Sequence, residues 1–585
     1  MRVIATAGHV DHGKSTLVRA LTGIEPDRWA EERARGLTID LGFAWTRLAS
    51  GEEVAFVDVP GHERFIANML AGLGPVPAVM LVVAADEGWR AQSQEHLDAI
   101  TALGISHGLL VITRKDLADP APALGQARER LRSTPLAGCE AVSVSAMTGD
   151  GVEELRGALT RLIASLPAPA PSSRVRLWID RSFTIRGAGT VVTGTLESGT
   201  LRVGDRVQLP GRTVGIRALE SLGQDHPQVS APARVAVNLR DVAADEVVRG
   251  DTLLTGAWHH SEVVDVALNP VPDRLPGHLM AHVGTTSRAV HVRLLGTRFA
   301  RISWRAALPL QAGDRLVLRD PGQQRVLAGA VVLDADPPDL DRRGAARQRA
   351  AELEDASHHL DPAREVHRRG WMTRHDLQLL GGSPDEVLAG VHRSGHYLID
   401  GEVWEGWAEA LRQSVAAYAA TNPLRPRMPM AAAAGVLGLP DRALLAPLAE
   451  DAGLELCEGH VARPGTRPTL GPAEPGLVEI ERRLARQPFL APERQELTEL
   501  GLGPRQIAAA VSLGRLLDLG DQIVLAPTAP ALAMRRLASL PQPFTTSEAR
   551  QALDTTRRVV IPLLEHLDHR GWTRRLDAGH REVVR

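Results

Sequence analysis

Apolar and polar residues in the first third of the chain follow the order expected for strands that alternate with helices. Residues 53–57, 79–83 and 109–112 are short apolar runs with the composition of buried strands, and 93–103 has the spacing of a helix with one apolar face. This alternation is typical of a doubly wound α/β domain with a mainly parallel sheet. We therefore predict such a domain over residues 1–171.

The pattern changes after the stretch 167–173, which we interpret as a linker because repeated proline and small residues build no core. Beyond it, short segments with period-two alternation, such as 191–195 and 204–209, are separated by glycine turns. Strands at this spacing predict two β-barrels that meet near Trp258. The predicted barrel domains span residues 172–258 and 259–338.

The last third of the chain contains a repeat of about 60 residues. Gly401, Gly459, Gly520 and Gly579 each lie in the middle of a hairpin-like pair of strands, and an amphipathic helix precedes each pair. Helices followed by a β-wing are typical of winged-helix modules, which commonly bind nucleic acid. We predict an α+β arm of four such modules, spanning residues 339–405, 406–468, 469–530 and 531–585.

Composition narrows the class of protein. A chain of 585 residues is too long for one core, and a formal net charge of −3 means that any nucleic-acid surface has to be local. Cys139 and Cys457 lie far apart in the sequence, which indicates neither a disulfide nor a metal site. The longest apolar stretch, residues 76–85, is too short to span a bilayer and no signal peptide opens the chain, so we expect a cytoplasmic protein without a membrane partner.

The strongest chemical signal is a phosphate-binding loop near the start of the chain. Residues 8–15 match the pattern G-x-x-x-x-G-K-[S/T] between an apolar strand and a helix, the context in which backbone N–H groups bind phosphate. Lys14 and Lys115 are the only lysines, and a P-loop requires a compact ammonium rather than a guanidinium. We predict that a nucleoside triphosphate binds to Gly8, His9, Val10, Asp11, His12, Gly13, Lys14, Ser15 and Thr16.

A second motif, D-x-x-G, indicates a nucleotide switch that uses Mg²⁺. Asp58 follows a predicted strand, so its carboxylate can hold Mg²⁺ through water, while the Gly61 amide can meet the γ-phosphate. Ser15 and Thr38 supply hydroxyl ligands for the metal. His62 is the candidate catalytic residue, because a histidine there can orient the attacking water or stabilise charge as the phosphoryl group leaves.

The base is predicted to be guanine. Asp116 lies where GTPases carry the last residue of N-K-x-D, and its carboxylate can accept hydrogen bonds from guanine. Thr113 and Arg114 depart from that motif, although a guanidinium can stack on a purine. Ser145 and Ala146 lie where a backbone amide would approach the guanine oxygen. The expected cofactors are therefore GTP and Mg²⁺.

Over about the first 335 residues, these motifs resemble the translational GTPases of the elongation factor Tu group. With the four C-terminal modules, the whole chain is similar to the family of bacterial selenocysteine-specific elongation factors. A threonine at the position of Thr113 also occurs in that family, whereas Arg114 is unusual. The resemblance is carried by residues 5–14, 35–43, 58–63, 68–72 and 187–194.

The resemblance implies a monomeric carrier that delivers selenocysteyl-tRNA to the ribosome at UGA codons and also binds a hairpin in the selenoprotein mRNA. It implies that Asp180, Arg181 and Arg234 line the aminoacyl pocket, where two guanidiniums would favour an anionic selenolate over neutral serine. GTP hydrolysis is expected to be stimulated by the ribosome. We predict that Val10 and Leu37 shield His62 from the nucleotide, so we expect slow hydrolysis by the protein alone.

The last module is the predicted site for the mRNA hairpin. Its arginines are concentrated at the helix ends and the wing, and guanidiniums suit the phosphates and splayed bases of RNA hairpins. In an arginine-rich chain, such a cluster can also be an ordinary solvated surface. The residues predicted to bind the hairpin are Arg557, Arg558, Arg574, Arg575 and Arg581.

Two other functions stay open at this point. The chain could be another GTP-dependent carrier of aminoacyl-tRNA or initiator tRNA, although such a carrier has no need of four winged modules. It could also be a GTP-sensing, winged-helix DNA-binding regulator, which would require basic recognition helices in several modules. Acidic stretches in the earlier modules, such as residues 384–387, argue against that alternative.

Overall fold

The structure, a computed structural model, describes residues 1–26, 38, 40–168, 170, 172–187, 189–323 and 325–584. Met1–Arg368 and Met372–Ala389 form one compact unit, and Arg369–Trp371 and Gly390–Arg585 form a second. The predicted fold class is confirmed, because an α/β domain and two β-barrels are followed by helices and short wing sheets. The bounds of the seven predicted domains stay predictions.

The N-terminal domain is built on a six-stranded sheet. Its elements are β1 (Arg2–Ala7), α1 (Lys14–Thr22), β2 (Gly42–Arg47), β3 (Glu53–Asp58), α2 (Ile66–Leu73), β4 (Ala78–Ala84), α3 (Ala91–Ala102), β5 (His107–Thr113), α4 (Pro120–Leu131), β6 (Glu140–Ser143) and α5 (Val152–Ser165). The strand order is β2-β3-β1-β4-β5-β6, and only the β2–β3 pair is antiparallel. Strand β4 is buried along its whole length, because apolar clusters lie on both faces of the sheet. The loops that follow the parallel strands therefore meet at one edge.

The first barrel closes because β10 pairs with both β11 and β15. Strand β14 alternates buried and half-buried residues, as expected for a strand with one face in the barrel core. The strands of this domain are β7 (Arg176–Ile185), β8 (Gly189–Leu196), β9 (Thr200–Arg202), β10 (Arg206–Leu209), β11 (Arg212–Ser221), β12 (Gln224–His226), β13 (Gln228–Ser230), β14 (Ala233–Leu239) and β15 (Thr252–Leu254). Of these, β9 and β13 form a separate two-stranded sheet, and β12 pairs only with β11.

The second barrel is a closed six-stranded ring in the order β16-β19-β18-β17-β20-β21. Its strands are β16 (His260–Asn269), β17 (His278–Val283), β18 (Thr286–Leu294), β19 (Phe299–Pro309), β20 (Arg315–Arg319) and β21 (Val326–Asp334). Helix α6 (Ala345–Glu354) is tied to this barrel by the buried guanidinium of Arg349, which donates to Asp265 at 2.8 Å and also to Asp334.

The arm consists of helices that alternate with short wing strands. Its remaining elements are α7 (Pro362–Arg369), β22 (Trp371–Thr373), α8 (Arg374–Leu379), β23 (Val391–Ser394), β24 (Tyr397–Asp400), α9 (Gly401–Thr421), β25 (Met428–Pro429), α10 (Met430–Leu437), α11 (Leu445–Asp451), β26 (Glu455–Cys457), β27 (His460–Ala462), α12 (Glu474–Arg486), α13 (Arg494–Glu499), α14 (Pro504–Ser512), β28 (Leu517–Asp518), β29 (Val524–Leu525), α15 (Ala529–Leu537), β30 (Phe544–Thr545), α16 (Thr546–Leu553), α17 (Arg557–His569), β31 (Thr573–Arg575) and β32 (His580–Val583).

The turn of the first predicted wing lies at a different glycine from the one predicted. The first wing turns at Gly395, whose φ of +59° suits glycine, and Gly401 instead begins α9 with Asp400 as its cap. Gly459 lies in the turn of its wing, as predicted. The third and fourth predicted modules share one apolar core, so they form a single body.

No single helix among the residues that the structure describes is long and apolar enough to cross a membrane; only α10 taken together with 442–451, bent by 107°, meets that test.

Candidate nucleotide-binding site

The loop between β1 and α1 has a backbone that requires glycine at two points. Gly8 has a φ of +133°, and a Cβ there would lie 2.2 Å from the carbonyl oxygen of Val82. Gly13 has a φ of +78° and caps α1, which begins at Lys14. The first N–H groups of α1, which have no partner within the helix, therefore face the loop. This is the geometry of an anion site at a helix N-terminus.

The Lys14 ammonium is held across this loop. Its Nζ donates to the carbonyl oxygen of Gly8 at 3.0 Å and to that of His9 at 2.8 Å, and the residue is 6% exposed. A positive charge fixed in this way, beside the N–H groups at the start of α1, is complementary to the phosphates of a nucleotide.

Two residues of α3 that the sequence analysis missed support the loop from behind. The Gly8 N–H donates to Nδ1 of His96 at 3.1 Å, and the Val10 N–H donates to Oε1 of Gln92 at 3.1 Å. Burial lowers the pKa of His96 to about 3 and that of His12 to about 4, so both rings are neutral. The signal in the sequence is that Gln92 and His96 lie four residues apart, on one face of a helix.

The depressed pKa of His96 predicts a loss of stability in acid. An unfolded chain protonates this histidine as pH falls through 6.5, whereas folded His96, with a pKa of about 3, stays neutral, so its contribution is present above pH 6.5 and lost below it. Between pH 7 and 5 the loss should be about 2 kcal/mol. We expect the thermal unfolding midpoint of His96→Gln to lack that part of the pH dependence. The transition to follow is the one whose midpoint rises when GTP is added. Parallel pH profiles for the two proteins would contradict this assignment.

The Asp58 carboxylate lies at the end of β3 with hydroxyl groups on both oxygens. Thr6 Oγ1 donates to Oδ1 at 2.6 Å and Ser15 Oγ donates to Oδ2 at 2.7 Å, while Thr38 Oγ1 lies 3.1 Å from Ser15 Oγ. Burial raises the pKa of Asp58, and the Lys14 ammonium opposes that shift. Hard oxygen donors of this kind fit Mg²⁺. Among the described residues, no group of three or more His, Cys, Asp or Glu side chains could hold a metal, so phosphate and water would complete the shell.

Gly61 closes the phosphate end of the site. A Cβ at this residue would lie 2.6 Å from the Val10 nitrogen and 2.7 Å from Lys14 Nζ, so only glycine allows this approach. His62 accepts a hydrogen bond at Nδ1 from the Arg64 N–H at 3.2 Å, and it does not line the cavity. Its catalytic role stays a prediction that requires the ring to move. The predicted shield at Leu37, together with the rest of segment 35–37, lies outside the described residues.

The base end of the site explains one departure from N-K-x-D. Thr113 Oγ1 donates to the carbonyl oxygen of His12 at 2.7 Å, so a short hydroxyl ties the end of β5 to the P-loop. Arg114 adopts a φ of +57°, and its guanidinium pairs with Asp86 and Glu87 at 3.0 Å. It lines the cavity, but these carboxylates hold it, so the predicted stacking would need the ion pairs to loosen.

These residues enclose a cavity of about 560 Å³ that is large enough for a nucleotide. The predicted residues Gly8, His9, His12, Asp58 and Ser145 do not line it but lie behind the surface. Four lining residues were not predicted: Arg19, Glu25, Leu117 and Met147. The predicted residues that line the cavity are Val10, Asp11, Gly13, Lys14, Ser15, Thr16, Thr38, Gly61, Thr113, Arg114, Asp116 and Ala146.

A second charged cluster lies between the first barrel and the N-terminal domain, and it brings Asp180, Arg181 and Arg234 together. The Arg234 guanidinium makes a two-pronged ion pair with buried Asp180, with one contact of 2.7 Å, and its Cζ lies 3.8 Å above the Phe43 ring. Arg181 pairs with Asp40 at 2.9 Å. Its Nε is buried and has no acceptor among the described residues. An anion would satisfy this donor.

Arg249 is a third guanidinium near this cluster, and the sequence analysis missed it. Its Nη1 donates to Oδ1 of Asn68 on α2 at 2.6 Å. Burial lowers the pKa of Arg249, and the carboxylates of Asp40 and Asp180 oppose that shift. Three guanidiniums therefore face two carboxylates, and the cluster carries a net positive charge.

The five arginines predicted in the last module have different environments. Arg581 is buried and donates from Nε to Asp568 at 2.9 Å. Arg558 donates from Nη2 to Ala491 at 3.2 Å and Pro492 at 3.1 Å, so it joins the last two modules. Four of the five are exposed: Arg557, Arg558, Arg574 and Arg575.

Family models match four parts of the chain. They are the elongation factor Tu GTP binding domain (residues 1–165), elongation factor Tu domain 2 (189–254), the selenocysteine-specific elongation factor beta-barrel domain (273–339) and the elongation factor SelB winged helix (535–581). Among solved structures, the chain superposes on a bacterial selenocysteine-specific elongation factor, EF-Sec, with a TM-score of 0.70 and 25% identity over 100% of both chains. The SelB of Methanococcus maripaludis in complex with GppNHp shares the fold, with a TM-score of 0.50 and 23% identity over 57% of this chain and 79% of that one.

Two curated relatives cover most of the sequence. The selenocysteine-specific elongation factor of Desulfomicrobium baculatum is 30% identical over 100% of this chain and 99% of its own length. That of Escherichia coli is 37% identical over 71% of this chain and 70% of its own. With the P-loop, the two barrels and the winged-helix arm, these matches show that the chain belongs to the selenocysteine-specific elongation factors, a family of translational GTPases.

Proposed function

We propose that this chain, when it holds GTP and Mg²⁺, delivers selenocysteyl-tRNA to the ribosome at UGA codons while its last module binds a hairpin of the selenoprotein mRNA. It acts as a monomer. The observation that carries the tRNA part is the cluster of Asp180, Arg181 and Arg234, with its buried Arg181 donor and net positive charge.

The cluster suits selenocysteine for an electrostatic reason. Selenocysteine is largely an anionic selenolate at neutral pH, whereas serine is neutral. Arg181 Nε–H can donate to the anion, and Arg234, fixed by Asp180 over Phe43, supplies charge without having to be ordered on binding. Because a desolvated charge interacts strongly with its partner, the cluster favours selenocysteyl-tRNA over seryl-tRNA.

GTP controls the aminoacyl pocket through the short segment of polypeptide that joins it to the nucleotide-binding site. Ser15, Thr38 and Asp58 would hold Mg²⁺, whose charge stabilises the β- and γ-phosphates when it is bound. Thr38 lies two residues before Asp40, which pairs with Arg181. A change at Thr38 on loss of the γ-phosphate would therefore displace the partner of Arg181 and weaken the hold on the aminoacyl group.

Hydrolysis needs little covalent work from the protein. Lys14 and the P-loop N–H groups stabilise the charge on the phosphates. His62 orients the attacking water once its ring leaves Arg64 and turns toward Gly61. We expect hydrolysis without the ribosome to be slow, because the His62 ring has to make that turn before it can act.

The mRNA surface of the last module consists of its exposed arginines. Arg557 begins α17, and Arg574 and Arg575 lie on the wing strand β31, so both parts of a winged helix contribute. Arg574 pairs with Glu582 at 3.1 Å, an exposed contact that phosphate can replace.

Replacing Arg574 and Arg575 by alanine should weaken binding of the mRNA hairpin. Each lost phosphate contact should lower the slope of log affinity against log salt by about 0.7 to 0.9. Fluorescence anisotropy with a labelled hairpin over a salt series measures both quantities, with GTP affinity as the internal control. An unchanged hairpin affinity would remove these two residues from the surface.

A filter-binding comparison separates the proposal from its alternatives. The GTP-bound protein should retain selenocysteyl-tRNA and the hairpin, and should retain seryl-tRNA and duplex DNA much more weakly. Equal retention of seryl-tRNA would indicate a general carrier, and preferential retention of duplex DNA would indicate a regulator.

A further inference from the structure

Four arginines at the junction of the second and third winged-helix modules have no carboxylate partner among the residues that the structure describes. We call them the junction arginines. Some other arginines of the arm have a carboxylate partner; Arg482, for example, lies 2.7 Å from Glu479. Three junction arginines are exposed and Arg427 is half-buried. They are Arg425, Arg427, Arg463 and Arg467.

The fold brings these arginines together from two separate segments. Strands β25 and β27 are antiparallel, with Met428 opposite Val461, so Arg427, just before Met428, and Arg463, two residues after Val461, leave the same end of the strand pair. Farther along, the Thr469 N–H donates to the carbonyl oxygen of Pro423 at 2.8 Å. The two segments are therefore joined at both ends, which brings the four arginines to one part of the arm.

The two segments that carry these arginines contain no acidic residue, and the Glu474 carboxylate, which accepts from the Leu470 N–H at 2.7 Å, is paired with Arg515. Residues 422–440 and 459–473 contain no Asp or Glu. Each arginine is next to a proline or one residue from one, and a turn in which the Thr466 N–H donates to the Arg463 carbonyl oxygen at 3.1 Å fixes the second segment. Proline limits the backbone, so little entropy is lost on binding. Four like charges held together repel one another until an anion lies between them.

The position of the junction arginines relative to the mRNA surface is set by α12. The helix begins just after Gly471, whose Cβ would lie 3.1 Å from Pro423. Its 13 residues correspond to a length of about 20 Å. Beyond its far end lies Ala491, which accepts the hydrogen bond of Arg558 at the start of α17. The junction arginines and α17 are thus at opposite ends of one helix, within one compact unit of the chain.

We propose that the junction arginines bind the phosphate backbone of the stem of the mRNA hairpin whose loop the last module holds. The inference rests on the proposed function, which supplies the hairpin. A double-stranded stem is read through its backbone rather than its bases, and guanidiniums are suited to that contact. The junction arginines therefore add affinity and fix the direction of the stem, and the last module supplies the sequence preference.

The test compares two hairpins with the same loop, one with its full stem and one with the stem cut to the base pairs next to the loop. The full-length chain carries Arg463→Ala and Arg467→Ala together. On the full stem, we expect about a tenfold loss of affinity and a salt slope lower by about 1.5, because two phosphate contacts disappear. On the short stem, the double variant should bind as the parent does. Arg482→Ala, which removes an exposed arginine of the same body, is the matched control.

The outcomes separate this inference from the proposed function. If the double variant matches the parent on the full stem, or loses equally on both stems, the junction arginines do not bind the stem. If Arg574→Ala and Arg575→Ala weaken both hairpins while the double variant weakens neither, only the present inference fails. If the parent binds neither hairpin, the proposed function fails and the inference fails with it.

Discussion

Replacing Lys14 with alanine should reduce GTP affinity at least a hundredfold. The ammonium is 6% exposed and is held by the carbonyl oxygens of Gly8 and His9, so no other cation can take its place. Removal of one partner of a buried charge interaction costs about 3 kcal/mol or more, which corresponds to about a hundredfold in affinity. Calorimetry with a non-hydrolysable GTP analogue measures the loss.

Lys115 provides the matched control for this experiment, because it is the only other lysine. Its Nζ pairs with Asp150, a carboxylate that is 72% exposed, at 2.8 Å. Such exposed pairs contribute little. Lys115→Ala should therefore change GTP affinity by less than about threefold. Equal losses for both variants would mean that the phosphate site has been assigned to the wrong lysine.

Replacing Arg181 with alanine should remove most of the discrimination between selenocysteyl-tRNA and seryl-tRNA. The change deletes the buried Nε donor and the partner of Asp40. Binding of the neutral serine side chain depends little on the charge of Arg181, so seryl-tRNA is affected less. We expect selenocysteyl-tRNA to lose about a hundredfold in affinity, or about 3 kcal/mol, and seryl-tRNA to lose less than about threefold. Protection of the aminoacyl ester against hydrolysis measures both affinities.

Two further variants make this result specific. Arg181→Lys keeps the charge but lacks Nε, so its discrimination should lie between those of the parent and of the alanine variant. Arg206→Ala removes an exposed arginine from the same barrel and should change neither affinity. A parallel loss for both tRNAs in Arg181→Ala would mean that Arg181 supports the barrel rather than the selenolate.

The parts of the site that could be predicted from sequence are those at which few residue types and backbone conformations can bind phosphate. A glycine with φ of +133° against a neighbouring strand, a lysine at the start of a helix and a carboxylate at a strand end occur at fixed spacings because the phosphate geometry requires them. Gly8, Lys14 and Asp58 could be proposed as site residues from the sequence for that reason. The barrels were predictable because period-two alternation follows directly from strand geometry.

Features that depend on packing between distant segments could not be predicted. The role of His96 in binding the Gly8 N–H depends on how α3 lies against the sheet, over a separation of 88 residues. Arg581 and Arg558 looked like other surface arginines in the sequence, but Asp568 and the carbonyl oxygen of Ala491 hold them in the fold. Pairing of this kind is set by tertiary structure and leaves no local pattern.

The first wing shows how a repeat can mislead. Gly401 fits the spacing of the other wing glycines, but Asp400 accepts hydrogen bonds from the N–H groups of Glu402 and Val403 and so starts a helix there. Asp400 before Gly-Glu is also a helix N-cap signal, which the spacing of the repeat did not take into account. In the structure this cap, rather than the repeat, determines the local conformation. The turn moved to Gly395 as a result.

The most direct measurement of the central claim compares one tRNA charged with either of two amino acids. The unmodified protein, loaded with a non-hydrolysable GTP analogue, is titrated with selenocysteyl-tRNA and with seryl-tRNA that are identical apart from the side chain. The account predicts that selenocysteyl-tRNA binds about a hundredfold more tightly, and that the difference disappears with GDP. Equal affinities in the GTP form would contradict the account, because the charged cluster would then have no part in choosing the amino acid.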